Sequence, residues 1–322
     1  MTRRYVLRKV MGALATLAFV LAFNFALFRV LPGNPAQILA RNKLLPQDAV
    51  EQLEEDFGLN ESMGSQFVKY LQTTFQGNLG ISYTFREPVS GLIAERVWPT
   101  LLLIGVSTVG SMVIGLLIGV YGAWRRGSGF DISTLGGSLV FYAMPEFWLG
   151  ILLLIFFAAT LGWFPISGIV TPGANFTGLA AAADVMNHLF LPAITLTLGL
   201  IGEYALVMRS SLLDVMGEDY LNTARAKGLR ESLVLRRHAV PNALLPTVTL
   251  VALNLGFIIS GAITVETVFS WPGLGLLTYD AIQAPDYPLM QGLFLLFTAA
   301  IILANLAADL VYGFLDPRVR YA

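Results

Sequence analysis

Six apolar stretches divide this 322-residue chain, and they constrain its fold more than any short motif does. They are Val10–Val30, Thr100–Tyr121, Leu135–Leu161, Leu189–Met208, Leu245–Val265 and Leu289–Tyr312. About 20 apolar residues in helical form cross ~30 Å of hydrocarbon, so each stretch reads as a spanning helix. The chain is 56% hydrophobic and only 13% charged, against roughly 25% charged residues in soluble domains. It reads as an all-α integral membrane protein. The first stretch is longer than the ~7 to 15 apolar residues of a signal peptide. It is followed by Leu31-Pro32-Gly33-Asn34-Pro35, which is no small-x-small cleavage site. The expectation is an uncleaved first membrane helix, with Arg29 snorkelling to the interface.

Basic residues set the expected orientation, because short cytoplasmic loops are enriched in Lys and Arg. Fourteen of the 20 fall in residues 1–9, the Arg125-Arg126 turn, residues 209–240 and the tail. Both termini and segment 209–244 are therefore expected in the cytoplasm, within a single membrane domain of residues 1–322. Residues 31–98 form the long excursion outside, net −3 from five basic and eight acidic residues. Two short helices are expected there, Pro46–Phe57 and Gln66–Phe75, the second with Ser65 as N-cap. Such a cap either docks a partner or plugs the outer mouth. Pro145 should kink the third span beside Glu146. Gly105, Gly110, Gly115, Gly119 and Gly122 in the second span should let a neighbouring helix approach closely.

Several chemistries are missing. No lysine follows a glycine, so there is no Gly-Lys-Ser/Thr phosphate loop, and no Gly-x-Ser-x-Gly elbow occurs. The chain has no cysteine, and His188 and His238 lie too far apart in sequence to suggest a histidine-rich metal site. A net charge of −1 gives no reason to expect nucleic acid. The remaining candidates are polar groups at membrane depth, each costly unless it faces water or a partner. Glu203 lies in mid-span, six residues from Arg209 and on a different face, so it becomes a pathway candidate. Asn305 and Asp309 share a helix face and suit a structural hydrogen-bonding role. Glu146 stays open between pathway and interface.

The most polar island, Asn222–Pro246, lies between two spans and must face water. By charge alone it is a solvated cytoplasmic loop or a protein contact. Ala224, Gly228 and Pro241 match the loop Glu-Ala-Ala, three residues, Gly, nine residues, Ile, one residue, Leu-Pro of bacterial ABC importer permeases, which this segment resembles. Asn222, Thr223, His238 and Val240 depart from that general pattern. Residues 223–228, 238–239 and 242–246 resemble more specifically the permeases of dipeptide and oligopeptide importers. So do Pro32-Gly33-Asn34-Pro35, Gly77-Asn78-Leu79-Gly80 and Pro88-Val89, and the last external segment, Glu266–Gly292, does so almost throughout. In that segment Trp271, Tyr279 and Tyr287 suit an interfacial aromatic belt. Leu276 and Pro285 stand where that family leads us to expect arginine.

The resemblance implies a six-helix, type I ABC importer permease of the dipeptide, oligopeptide and nickel family, in a bacterial inner or plasma membrane. It implies a second, homologous permease as heterodimeric companion, two cytoplasmic ATPase subunits and an external substrate-binding protein. No cofactor is expected in this chain, and ATP and magnesium are expected in the ATPases. Coupling to an ATPase falls to Ala224, Arg225, Lys227, Gly228 and Pro241, with Leu212–Gly228 as a short helix along the membrane surface. Arg225 and Lys227 would then meet acidic partner groups. Peptides are the expected substrate, while nickel and oligosaccharides remain alternatives. The competing class is a secondary transporter or channel working alone, which internal inverted repeats or intramembrane charge pairs would favour.

Overall fold

Uninterrupted apolar sequence makes the first span one helix, α1, over Arg3–Val30. The structure, a computed structural model, describes residues 3–30 and 61–315, with backbone alone at 30, 245, 248–249, 251–261 and 311–315. The helix expected over Pro46–Phe57 lies outside the described residues. Helix α2 is Met63–Phe75, and its N-cap is Ser62: the Ser62 hydroxyl accepts from the Ser65 amide at 3.3 Å. A cap accepts from the third helical residue, and Ser65 is that residue, so it receives the cap and does not supply it.

The remaining helices are α3 (Val89–Trp124), α4 (Gly129–Ala143), α5 (Glu146–Leu153) with a π-helical turn at Leu154–Thr160, and α6 (Leu179–Met216). Then come α7 (Asp219–Ala226), α8 (Glu231–Val234) with a π-helical turn at Leu235–Ala239, α9 (Val240–Val268), α10 (Leu274–Gln283) and α11 (Tyr287–Leu315). Helices α1, α3, α6 and α11 are long and apolar enough to span, and α4 with α5 makes a further span as a bent pair. Helix α9 carries the expected run Leu245–Val265. Helices outlast the apolar runs that announced them. Helix α6 has 38 residues, about 57 Å at 1.5 Å each, so it extends well into water.

Proline chemistry accounts for the bent pair. Pro145 caps α5, and Met144 before it is forced into extended backbone with ψ 137°. The two helices meet at 105°, a break where a kink was expected.

The chain divides into two compact units, Met1–Trp98 with Leu277–Ala322, and Pro99–Leu276. In the first, Phe25 of α1 meets Phe67 of α2 edge-on at 5.2 Å. The buried Asn24 amide donates to the Tyr70 hydroxyl at 3.2 Å and the Gln291 carbonyl at 3.1 Å. Asp286 is buried, receives the Ser82 hydroxyl at 2.5 Å and the Thr84 amide at 2.9 Å, and so ties the 80–89 turn to the start of α11.

In the second unit, α6 is the central strut. Glycines bring α3 onto it as expected: a Cβ on Gly115 would lie 2.6 Å from the Tyr204 Cβ, and one on Gly119 2.7 Å from the Ala205 carbonyl oxygen. Gly110 faces Thr197 in the same way, while Gly105 faces open space. Helix α4 uses a glycine of α6 instead, since a Cβ on Gly202 would lie 2.6 Å from the Ser138 carbonyl oxygen. Towards the other end of α6, Leu103, Leu189, Leu196, Val265 and Phe269 form an apolar core with Trp271. Trp271 is 0% exposed and its indole N–H donates to the Pro99 carbonyl at 2.9 Å, so it is a core residue and not part of an interfacial belt. An indole is buried at little cost once its one donor is satisfied.

Candidate functional site

The segment after α6 is amphipathic by construction. Helix α7 buries Leu221 and Ala224 against Met208, Leu212, Val234, Ala239 and Ala243, which are the ends of α6 and α9 and the residues between them. Asn222, Thr223, Ala226, Lys227 and Gly228 stay exposed. The expected single helix over Leu212–Gly228 is two elements: α6 runs to Met216, Gly217 ends it, and the short helix is Asp219–Ala226. Leu212 is fully buried, so its stretch belongs to the span and not to a surface helix.

Gly228 closes the turn after α7 with φ +79°, and its amide donates to the Arg225 carbonyl at 2.9 Å. That left-handed conformation suits glycine at a helix C-terminus. A Cβ there would meet nothing within 4 Å, so the backbone conformation is what resists substitution. Arg225 is engaged within the chain, donating to Glu231 Oε1 at 3.0 Å and Asn222 Oδ1 at 3.0 Å. Lys227 makes no ion pair among the described residues. Pro241 is exposed at the start of α9, and the nearby Asn242 amide donates to the His238 carbonyl at 2.6 Å. The segment therefore presents a polar, basic face on an apolar base that is part of the membrane helices.

At membrane depth, Glu146 opens α5 and packs against α6. A Cβ on Gly199 would lie 3.3 Å from Glu146 Oε1, so glycine there makes room for the carboxylate. Glu203 is four residues further along α6 than Gly199, on the same face of that helix. Both carboxylates are part-buried. Arg209 is not directed at Glu203. It makes a two-pronged pair with Asp131 of α4, Nε to Oδ1 at 2.7 Å and a terminal nitrogen to Oδ2 at 2.8 Å. The Gly127 amide also donates to Asp131, at 2.9 Å.

In the other unit, Lys9 of α1 pairs with Asp309 of α11 at 2.8 Å, and the Tyr5 hydroxyl donates to the Asp309 carbonyl at 3.1 Å. Asn305 is exposed on α11.

Three acidic residues that matter to the architecture were not singled out from sequence: Asp131, Asp286 and Glu266. Glu266 is 0% exposed. It receives the Thr100 hydroxyl at 2.7 Å and the amides of Gly275 and Leu276 at 2.7 and 3.0 Å. The signal for it was the pair Gly273 and Gly275, since a Cβ on either would intrude on this carboxylate. Between α1 and α3, the Lys69 ammonium and the Ser65 hydroxyl hold Glu61 below its usual carboxylate range. Burial, with the Asp286 carboxylate beside it, raises the Tyr83 hydroxyl well above its normal value.

Several long apolar helices, one span broken at Pro145, and a short amphipathic helix seated on span ends mark an integral membrane protein. The chain belongs to the family of binding-protein-dependent transport system inner membrane components, whose model matches residues 111–321, and the N-terminal model of the same systems matches residues 1–104. It is similar to the glutathione transport system permease protein GsiC of Pectobacterium atrosepticum, 38% identical over 98% of this chain and 99% of that protein. GsiC of Escherichia coli K12 is 36% identical over the same shares. A Brucella suis protein named as a peptide permease is 38% identical over 98% of this chain and 99% of its own length. Among solved structures, a chain of the MetNI methionine ABC transporter in an inward-facing conformation matches the fold with a TM-score of 0.53, at 21% identity over 70% of this chain and 96% of that one. The protein is thus a multi-pass inner-membrane permease of an ABC importer. It is a transport subunit, not an enzyme, and it works with an ATPase and a substrate-binding protein.

Proposed function

We propose that this chain forms half of a translocation pathway for short peptides, paired with a second, homologous permease. Two cytoplasmic ATPases, which bind the ATP and magnesium, drive it, and an external binding protein delivers the substrate. Segment 209–244 and both termini face the cytoplasm in this reading, in line with 14 of 20 basic residues on that side. The observation that carries it is α7, whose Leu221 and Ala224 are locked into the span ends while Lys227 and the Gly228 turn stay exposed. A push on such a helix moves α6 directly. Ala224 forms its base, Arg225 braces the turn through Glu231, and Pro241 starts the next span.

Peptides are favoured because the full-length relatives carry peptide and glutathione permease names. Glu146 of α5, which packs on Gly199, and Glu203, one turn beyond Gly199 on α6, supply negative charge for the amino terminus of a peptide. Asp309 with Lys9, and Asn305 beside them on α11, serve structure and not transport. The test is ATP-dependent uptake of free and N-acetylated di- to pentapeptides by the complete complex in proteoliposomes. Free peptides should be taken up, and Glu203→Gln should lower that uptake more than uptake of acetylated ones. No uptake of any peptide would contradict the substrate class, and equal losses for both would remove Glu203 from the pathway.

A further inference from the structure

A groove of about 740 Å³ opens beside the α3–α4 turn, lined by Trp124, Arg125, Arg126, Ser128, Leu213 and Met216. On the orientation proposed above, it lies at the cytoplasmic membrane boundary. Arg125 and Arg126 are both exposed, and neither has an ion-pair partner among the described residues. The carboxylate at hand, Asp131, is already taken by Arg209 and the Gly127 amide. Two cations therefore stand over a groove with no carboxylate of their own, Arg126 sharing only the field of Asp131. Beneath Arg125 the surface is apolar. The Arg125 guanidinium lies 5.0 Å over the Tyr121 ring, and that ring meets Phe130 edge-on at 4.7 Å. Leu117, one turn deeper on the face of Tyr121, is 65% exposed.

Leu117 precedes Trp124 by seven residues, about 10 Å along the helix. A cytoplasmic protein cannot reach that depth, whereas an acyl chain reaches it from any headgroup bound above. Basic pockets between helices on the cytoplasmic side suit anionic headgroups, and tyrosine and tryptophan suit the same level. We propose that an anionic phospholipid binds here, its phosphate at Arg125 and Arg126 on the groove rim and an acyl chain outside the groove, beneath Arg125, along Leu117, Tyr121 and Phe130. Met216 forms one wall and Gly217 joins α6 to α7, so the headgroup braces the root of the coupling segment. Anionic lipid should then raise transport as well as bind.

The probes are phosphatidylglycerol and phosphatidylcholine, titrated onto the purified full-length chain and followed by native mass spectrometry. Phosphatidylglycerol should bind more tightly, and Arg125→Gln/Arg126→Gln should weaken it about 30-fold, corresponding to about 1 kcal/mol per basic residue. Phosphatidylcholine binding should not change, the double lysine variant should retain most of the difference, and Arg236→Gln/Arg237→Gln, which removes equal charge elsewhere, should leave it intact. Equal binding by wild type and the glutamine variant would overturn the proposal. So would displacement of the lipid by millimolar inorganic phosphate, which would mark a site for soluble anions. Loss of ATPase assembly in the glutamine variant, without any lipid preference in wild type, would identify the groove as a subunit contact and equally overturn it. The orientation itself is read separately by labelling Ser128→Cys from each side, and peptide uptake fails or succeeds independently of the lipid titration.

Discussion

Replacing Asp131 by alanine should destabilise this permease far more than its place at a helix start suggests. Asp131 is 3% exposed at its side chain and Arg209 22%, and the variant leaves that guanidinium with no carboxylate. Breaking a buried pair by removing one partner costs about 3 to 5 kcal/mol. Because Arg209 keeps some contact with solvent, the lower end applies, about 3 kcal/mol. For a chain of this size, roughly 2 °C of melting temperature accompanies each kcal/mol, so a drop of about 6 °C is expected. The assay is thermal unfolding of the purified chain in detergent, for Asp131→Ala, Arg209→Met and the double variant. Removing both charges takes away the pair without stranding either partner, so the double variant should be more stable than the summed losses imply, by at least about 2 kcal/mol. Strict additivity, or single losses under about 0.5 kcal/mol, would refute the claim that this pair fastens α4 to α6.

Two further outcomes follow from close packing. Gly119→Leu should abolish recovery of folded protein, because its Cβ alone would lie 2.7 Å from the Ala205 carbonyl oxygen, while Gly105→Ala, facing open space, should be neutral or stabilising by up to about 1 kcal/mol in gel-filtration and melting assays. Glu266→Ala should strand the amides of Gly275 and Leu276 and the Thr100 hydroxyl, cost about 2 to 4 kcal/mol, and expose Trp271 to collisional fluorescence quenchers; unchanged quenching would contradict the latch.

Much of this architecture was legible because the membrane imposes a length. Each apolar run announces its helix, Pro145 announces a kink that the structure makes a full break, and the α3 glycines announce a close neighbour. The helix ends were not legible, since a span leaves the hydrocarbon where polar residues begin but its hydrogen-bond ladder continues in water, as α6 does beyond Leu189 and Met208. Nor were the buried carboxylates. Asp131 and Arg209 lie 78 residues apart, and no local pattern joins them. Trp271 reads as a belt residue because indole suits both an interface and a core, and only the Pro99 carbonyl decides between them. Within segment 209–244, the Gly228 turn was visible locally, while the capture of Arg225 by Glu231 needed the chain to fold back on itself.

The central claim is that the α7 turn transmits ATPase motion to the spans, and Gly228→Val tests it most directly. A β-branched residue at φ +79° costs about 2 kcal/mol or more in backbone energy, yet its Cβ meets nothing within 4 Å, so membrane insertion should survive. Peptide uptake and peptide-stimulated ATP hydrolysis by the complete complex should both fall at least about ten-fold, with Gly228→Asn intermediate because asparagine tolerates that conformation. Wild-type uptake by a normally inserted Gly228→Val complex would contradict the account.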